Sequence, residues 1–217
     1  MSKVCVRSFS VSLDGFGAGP RQDESNPIGV GGSALHRWIF ATKTGRSMVG
    51  QSGGAEGVDD AFFKANLEGE GATIMGRNMF GPIRGPWTDG DWQGWWGEDP
   101  PFHQPVFVLT HYERRDLILN DTTFHFVTDG IDVALALAFD AAKGGDVGVA
   151  GGVSTIRQIL DARLIDELVI AVVPIHLGSG ERLFETVGEW PPGYECLAVS
   201  EGEGATHYEL VRVGDAA

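Results

Sequence analysis

The sequence predicts an α/β fold: a single domain with a central mixed, mostly parallel sheet of about eight strands flanked by helices. Short β-rich apolar runs alternate with amphipathic stretches through most of the 217 residues, the signature of strand–helix–strand crossovers. The final segment turns all-β, which adds antiparallel strands at one edge. No internal repeat or domain-sized shift of composition divides the chain, and 42% hydrophobic residues suffice for one large core.

The elements follow in order. "KVCVRSFSVS" carries Val4, Val6, Phe9 and Val11 in a strand-like run that Asp14-Gly15 stops. Residues 16–57 are glycine-rich and irregular, interrupted by a helical candidate in "GSALHRWIFAT", where Leu35, Trp38 and Ile39 are spaced i, i+3, i+4. "GVDDAFFKANLEGEG" reads as a helix burying Val58, Phe62 and Ala65, and "ATIMG" as a short buried strand. Residues 81–104 hold four of the six tryptophans in a long loop, too aromatic for disorder. "PVFVLT" and "TTFHFVT" are strands, "DGIDVALALAFDAAKGG" a helix with an aspartate cap and a glycine stop. Then come "DVGVA" (strand), "STIRQILDARL" (helix, capped by Ser154 or Thr155), "DELVIAVVPI" (strand) and the closing pair "YECLAVS" and "THYELVRV".

Composition narrows the function classes. A formal net charge of -14 disfavours nucleic acid or an anionic membrane as partner. Any anionic ligand must be captured by local devices. No apolar run reaches membrane-spanning length and the start lacks a secretory pattern. Cys5 and Cys196 form neither a disulfide framework nor a metal pair. A cytoplasmic setting is expected. The six histidines are scattered without ligand spacing, so no metal is expected.

Three strand ends carry the chemistry. In "DVGVAGGVSTIRQIL" a strand enters a helix through Gly151-Gly152. Free N–H groups and the positive dipole end attract anions there, and glycines let a phosphate approach the backbone; a plain tight turn is the alternative. "TIMGRNMFG" sets Gly76, Arg77 and Asn78 just beyond a strand, where a guanidinium offers a planar fork to phosphate. Leu109, Thr110 and His111 end a third strand. Carboxyl ends of strands are where open α/β sheets bind ligands.

Together with "SVSLDGF", "DDAFFKAN" and "LIDELVIAVVPIHLGSGERLFE", these segments resemble the dihydrofolate reductase superfamily over nearly the whole chain. The likeness is greatest to the reductase domain of riboflavin-pathway deaminase/reductases. The resemblance implies an NADPH-dependent reductase with a small-molecule substrate, and a homodimer built around the "VVPIHLGSGERLF" region. By that resemblance Arg77 with Thr110 or His111 holds the adenosine 2'-phosphate, and Gly76 keeps the turn open beside them. Asn78 and the turn Gly151, Gly152, Val153, Ser154 and Thr155 hold the pyrophosphate, and Ser12 begins a loop past the nicotinamide. Asp60 precedes Arg77 by about the family interval, so Asp60, Asp59 and the loop residue Asp14 are the candidate catalytic carboxylates. Riboflavin-pathway reductases often carry a glutamate just ahead of the position of Gly151, where this chain has Ala150. The segments at about 16–57 and 81–104 read as insertions. Their Trp38, Trp92 and Trp96 are candidates for a substrate pocket, though tryptophan serves equally in a packed lid or a subunit interface.

Two rival readings remain. "GQSGG" satisfies G-x-S-x-G at Ser52, with His176 or His207 as a later partner, but "RSMV" before it is a poor central strand for a nucleophile elbow. A flavin-using or non-catalytic nucleotide-binding module would share the cofactor residues and lack turnover. "GVGGSA" follows no strand and is set aside as a dinucleotide motif.

Overall fold

The computed structural model describes residues 2–82, 84–87, 92–184 and 189–214. Parts of the expected loop at 81–104 (83 and 88–91) and the end of "GERLFE" (185) lie outside them. The strands are β1 (Val4–Ser12), β2 (Phe16–Ala18), β3 (Glu70–Gly76), β4 (Pro105–Leu109), β5 (Leu117–Leu119), β6 (Thr122–Val127), β7 (Asp146–Gly151), β8 (Glu167–Val173), β9 (Glu181–Arg182), β10 (Tyr194–Glu201) and β11 (Thr206–Arg212). The helices are α1 (Arg37–Ala41), α2 (Lys43–Met48), α3 (Val58–Ala65), α4 (Arg77–Phe80), α5 (Ile131–Ala141) and α6 (Val153–Asp161).

Nine strands form the main sheet in the order β10-β11-β8-β1-β7-β3-β4-β6-β5. The run from β8 to β6 is parallel throughout. The C-terminal pair β10 and β11 adds antiparallel strands at one edge as expected. The sheet's nine strands among the described residues agree with the expected sheet of about eight; the unexpected detail is that the three-residue β5 pairs antiparallel with β6 at the other edge. Three residues are too few to show alternation in a sequence, so β5 left no signal.

Alternation along the strands divides the core between two faces. Ile74, Phe107, Val147 and Val149 point to one face, where α5 and α6 seal them with Ala134, Ala138, Ile156 and Ile159. On the other face two smaller clusters form. Leu35, Trp38 and Phe63 pack on Ala171 and Val173 of β8. Phe80, Trp87, Trp92 and Trp96 pack on Met75, Val106, Val108 and Phe124 of β3, β4 and β6.

Local details depart from expectation where tertiary contacts overrule the local pattern. The helix α3 buries Asp59 and Phe63, while Ala65 is exposed. The helical candidate at 32–41 splits into a 3-10 turn, Gly32–His36, followed by α1. Gly130 and Gly152, not an aspartate, Ser154 or Thr155, occupy the N-cap positions of α5 and α6, with no side-chain cap. The "RSMV" stretch belongs largely to α2, a helix, and Ser52 is exposed in the loop after it. His207 is buried against Asp59. A nucleophile elbow needs a strand entering the turn, so the hydrolase reading fails on geometry.

Candidate active-site cleft

A cleft of about 990 Å³ runs across the carboxyl ends of the parallel strands and down between the two apolar clusters. Its upper part gathers the three predicted strand ends. Gly76, Arg77 and Asn78 follow β3, Leu109, Thr110 and His111 end β4, and Gly151 to Thr155 join β7 to α6; all of them line the cleft. Adjacent parallel strands deliver their carboxyl ends to one edge, which is why residues separated by up to 79 positions meet (155 less 76).

At this edge Gly76 permits close packing: a Cβ there would lie 2.2 Å from Thr155 Oγ1. The opposite holds at Gly152, whose added Cβ would meet nothing within 4 Å, so the start of α6 faces open space. The peptide joining Gly151 to Gly152 is cis.

Arg77 is the distinctive group. Its guanidinium lies 3.2 Å from the centroid of the Trp87 ring, and its Nη1 donates to Thr110 Oγ1 at 3.2 Å. Among the described residues its Nε and Nη2 are buried without a hydrogen-bond partner. Burial, and then the positive charges of Arg114 and Arg84, lower the guanidinium's pKa. Buried donors of a cation are rarely left unmade in a folded protein. Two free N–H groups, a hydroxyl and an open helix start therefore fit a phosphorylated ligand.

The lower part of the cleft is walled by apolar side chains, among them Ile39, Phe40, Met48 and Val49 on one side and Trp95, Trp96 and Phe102 on the other. His36 stands half-buried on this wall, and burial pushes its imidazole down to about 4, so it is neutral at pH 7. The floor carries Arg7, Glu70, Thr73 and Gln104. Burial pushes the Glu70 carboxyl up to about 7, against the lowering effect of Arg7.

Several expected site residues do not line the cleft. Asp59, in the first turn of α3, is buried, accepting from the Gly204 amide at 2.6 Å and lying 2.8 Å from His207 Nε2. Asp60 accepts from the Thr44 amide at 2.7 Å, and that bond leads the causes lowering its pKa. Asp14 takes hydrogen bonds from Ser12 Oγ (2.6 Å) and the amides of Leu177 (3.1 Å) and Gly178 (2.7 Å). Burial alone would raise the Asp14 carboxyl, but these bonds hold it down to about 2. Ser12 is itself buried and occupied with Asp14 and the Phe16 amide. Trp38 donates to Ser10 Oγ at 2.9 Å inside the core, and Trp92 to the Phe80 carbonyl at 2.9 Å; only Trp96 of the three expected tryptophans reaches the cleft.

Sequence reading missed Arg7, Glu70 and Gln104; Trp87, one of the four loop tryptophans it pointed to, stacks on Arg77. The strand-end residues were legible because each sits beside its own strand; Arg7, Glu70 and Gln104 meet only once β1, β3 and the start of β4 lie in one sheet.

The model for the RibD C-terminal domain matches residues 3–191. The chain belongs to the RibD C-terminal domain family. Similar solved structures have the same fold. A putative riboflavin biosynthesis protein from Shewanella sp. PV-4 aligns with a TM-score of 0.57 and 22% identity, over 98% of this chain and 99% of that one. A dihydrofolate reductase from Enterococcus faecalis, solved with NADP(H) and RAB-propyl, aligns with a TM-score of 0.50 and 16% identity, over 99% and 97%. A diaminohydroxyphosphoribosylaminopyrimidine deaminase/5-amino-6-(5-phosphoribosylamino)uracil reductase from Thermotoga maritima gives 0.53 and 14% identity, over 97% of this chain and 56% of its own. No curated protein matches the sequence. Among the described residues no helix is long and apolar enough to cross a membrane.

Proposed function

We propose that this family member is an NADPH-dependent oxidoreductase that reduces a C=N or C=O group of a small aromatic or heterocyclic substrate. The observation that carries the reading is Arg77, held against Trp87 and Thr110 with two buried N–H groups lacking an acceptor. A 2'-phosphate supplies those acceptors, and bidentate phosphate binding is what a guanidinium does best. The α6 start at Gly152, Val153, Ser154 and Thr155, with Asn78 opposite, then receives the pyrophosphate on backbone N–H groups.

The bound cofactor supplies the hydride; the chain's part is to place the two reactants and exclude water. The apolar walls of the lower cleft hold a flat substrate, and the neutral His36 adds no charge there. Trp87, Trp95 and Trp96 report on the cleft directly, since one stacks on Arg77 and two line the walls. Titration with NADPH is expected to quench tryptophan emission saturably, with recovery on adding excess NADP+. Unchanged emission up to millimolar NADPH would sink the reading.

A further inference from the structure

On the floor of the cleft stands a polar group that the fold leaves unfinished. Glu70 begins β3, and its carboxyl lies across β7 over bare backbone: a Cβ on Gly148 would sit 1.9 Å from its Oε2. Thr73 Oγ1 donates to that Oε2 at a long 3.4 Å, and Gln104 Nε2 holds Thr73 from the far side at 2.7 Å. Arg7 Nε stops 3.6 Å from Glu70 Oε1, beyond hydrogen-bond reach, and is buried with no partner among the described residues. Arg7 Nη2 already lies 3.3 Å from Asp146 Oδ2. The Arg7 and Glu70 side chains keep 23% and 16% of their exposure, and both open onto the cleft.

One buried donor without a hydrogen-bond partner thus stands 3.6 Å from a carboxylate oxygen on a side chain that opens onto the cleft. A structural ion pair at this depth would close that gap, because unmade bonds cost most where water is scarce. The missing partner must accept from Arg7 Nε and donate to Glu70 Oε1 at neighbouring atoms. An amide edge, C=O beside N–H, does both. A carboxylate does not: it would meet Glu70 and Asp146, and Asp146 already faces the charge of Arg7. Phe63, Leu67, Phe102 and Trp96 line the same cleft and offer apolar and aromatic surface to a flat ring.

We propose that Arg7 and Glu70 form a specificity pair that reads the amide edge of a flat heterocyclic ligand, the lactam C=O on Arg7 and the lactam N–H on Glu70. This rests on the lower cleft being the substrate site of the reductase. It assigns recognition to residues remote from the strand-end phosphate site.

The test uses three probes on the full chain, by calorimetry: 2-quinolinone, its N-methyl derivative, and quinoline-2-carboxylate. The N-methyl compound keeps shape and carbonyl but cannot donate, and the third replaces the amide by an anion. At pH 8.5, where Glu70 is ionised, the proposal predicts that 2-quinolinone binds at least about tenfold more tightly than the N-methyl compound, the loss of one hydrogen bond to a charged acceptor. It predicts weaker binding still for the carboxylate. Glu70→Ala is expected to bring the two neutral probes within about twofold, whereas Glu70→Gln, which keeps an acceptor oxygen, preserves the preference. Circular dichroism checks that each variant is folded, and the wild-type comparison stands without any variant. Equal binding of the two neutral probes, preference for the carboxylate, or no binding of any probe overturns the proposal. NADPH titration of the wild type reads the reductase assignment separately, so either claim can fail alone.

Discussion

Replacing Glu70 with glutamine removes an ionisation that burial opposes. The ordinary carboxyl value is 4.5, and the folded protein holds Glu70 up at about 7. The folded state therefore keeps a proton that the unfolded chain releases between those values, and stability falls as pH rises through that window. Below it the carboxyl is neutral in both states and no penalty exists; above about pH 7 the penalty is complete. With 16% of the side chain exposed, solvent screening is modest. A shift of this size corresponds to about 3 kcal/mol at high pH, of which about 2.5 kcal/mol develops between pH 5 and 8.5. Urea unfolding of wild type and Glu70→Gln at both pH values measures it, because subtraction cancels the groups common to both chains. The variant is expected to gain about 2–3 kcal/mol relative to wild type on going from pH 5 to 8.5. A difference that does not change with pH, or that changes in the opposite sense, would refute the placement of a reluctant carboxylate on the cleft floor.

Other substitutions separate scaffold from site. Asp59→Ala leaves His207 Nε2 and the Gly204 amide buried without their partner, and is expected to cost about 3–5 kcal/mol in urea unfolding. Its folded fraction should retain NADPH affinity, and a selective loss of binding would return Asp59 to the active site. Gly76→Ala drives a Cβ against Thr155 Oγ1 and is expected to cost about 1–3 kcal/mol while weakening NADPH binding, read by thermal unfolding and fluorescence titration. Gly148→Ala displaces the Glu70 carboxyl, so it should remove the pH-dependent difference described for Glu70→Gln; an unchanged difference would contradict the packing of Glu70 over β7.

The parts of this molecule that a reader of the sequence can find are local ones. A run such as "DVGVA" ending in glycine and entering "STIRQIL" announces its strand, its turn and its helix within fifteen residues. The cleft-lining positions at the strand ends follow because each lies beside its own strand. The acids behave differently. Asp60 has the expected spacing from Arg77, yet α2 presents the Thr44 amide to it and takes its carboxylate out of the cleft. Asp59 is fixed by His207, 148 residues later, a partner no local pattern reveals. Glu70 lies in "EGEG", read in the sequence as the end of a helix; its position in β3 depends on pairing Glu70 with Asp146 across the sheet and on the missing side chain at Gly148. Trp87 belongs to a loop whose conformation is set by stacking on Arg77 and by its indole N–H donating to the Tyr112 carbonyl. Periodicity carries secondary structure, and the residues at each strand end carry the upper cleft. Chemistry assembled across several strands becomes visible only in three dimensions.

The most direct measurement is calorimetric titration of the full chain with NADPH and with NADH, repeated on Arg77→Ala. Micromolar NADPH binding at one site per chain, with NADH about tenfold or more weaker, is expected from a guanidinium that gains two charge-assisted hydrogen bonds only from the 2'-phosphate. Arg77→Ala should weaken NADPH and leave NADH nearly unchanged, closing the gap. Equal affinity for the two dinucleotides, or binding of neither, would contradict the account and leave the unpartnered donors of Arg77 to some other anion.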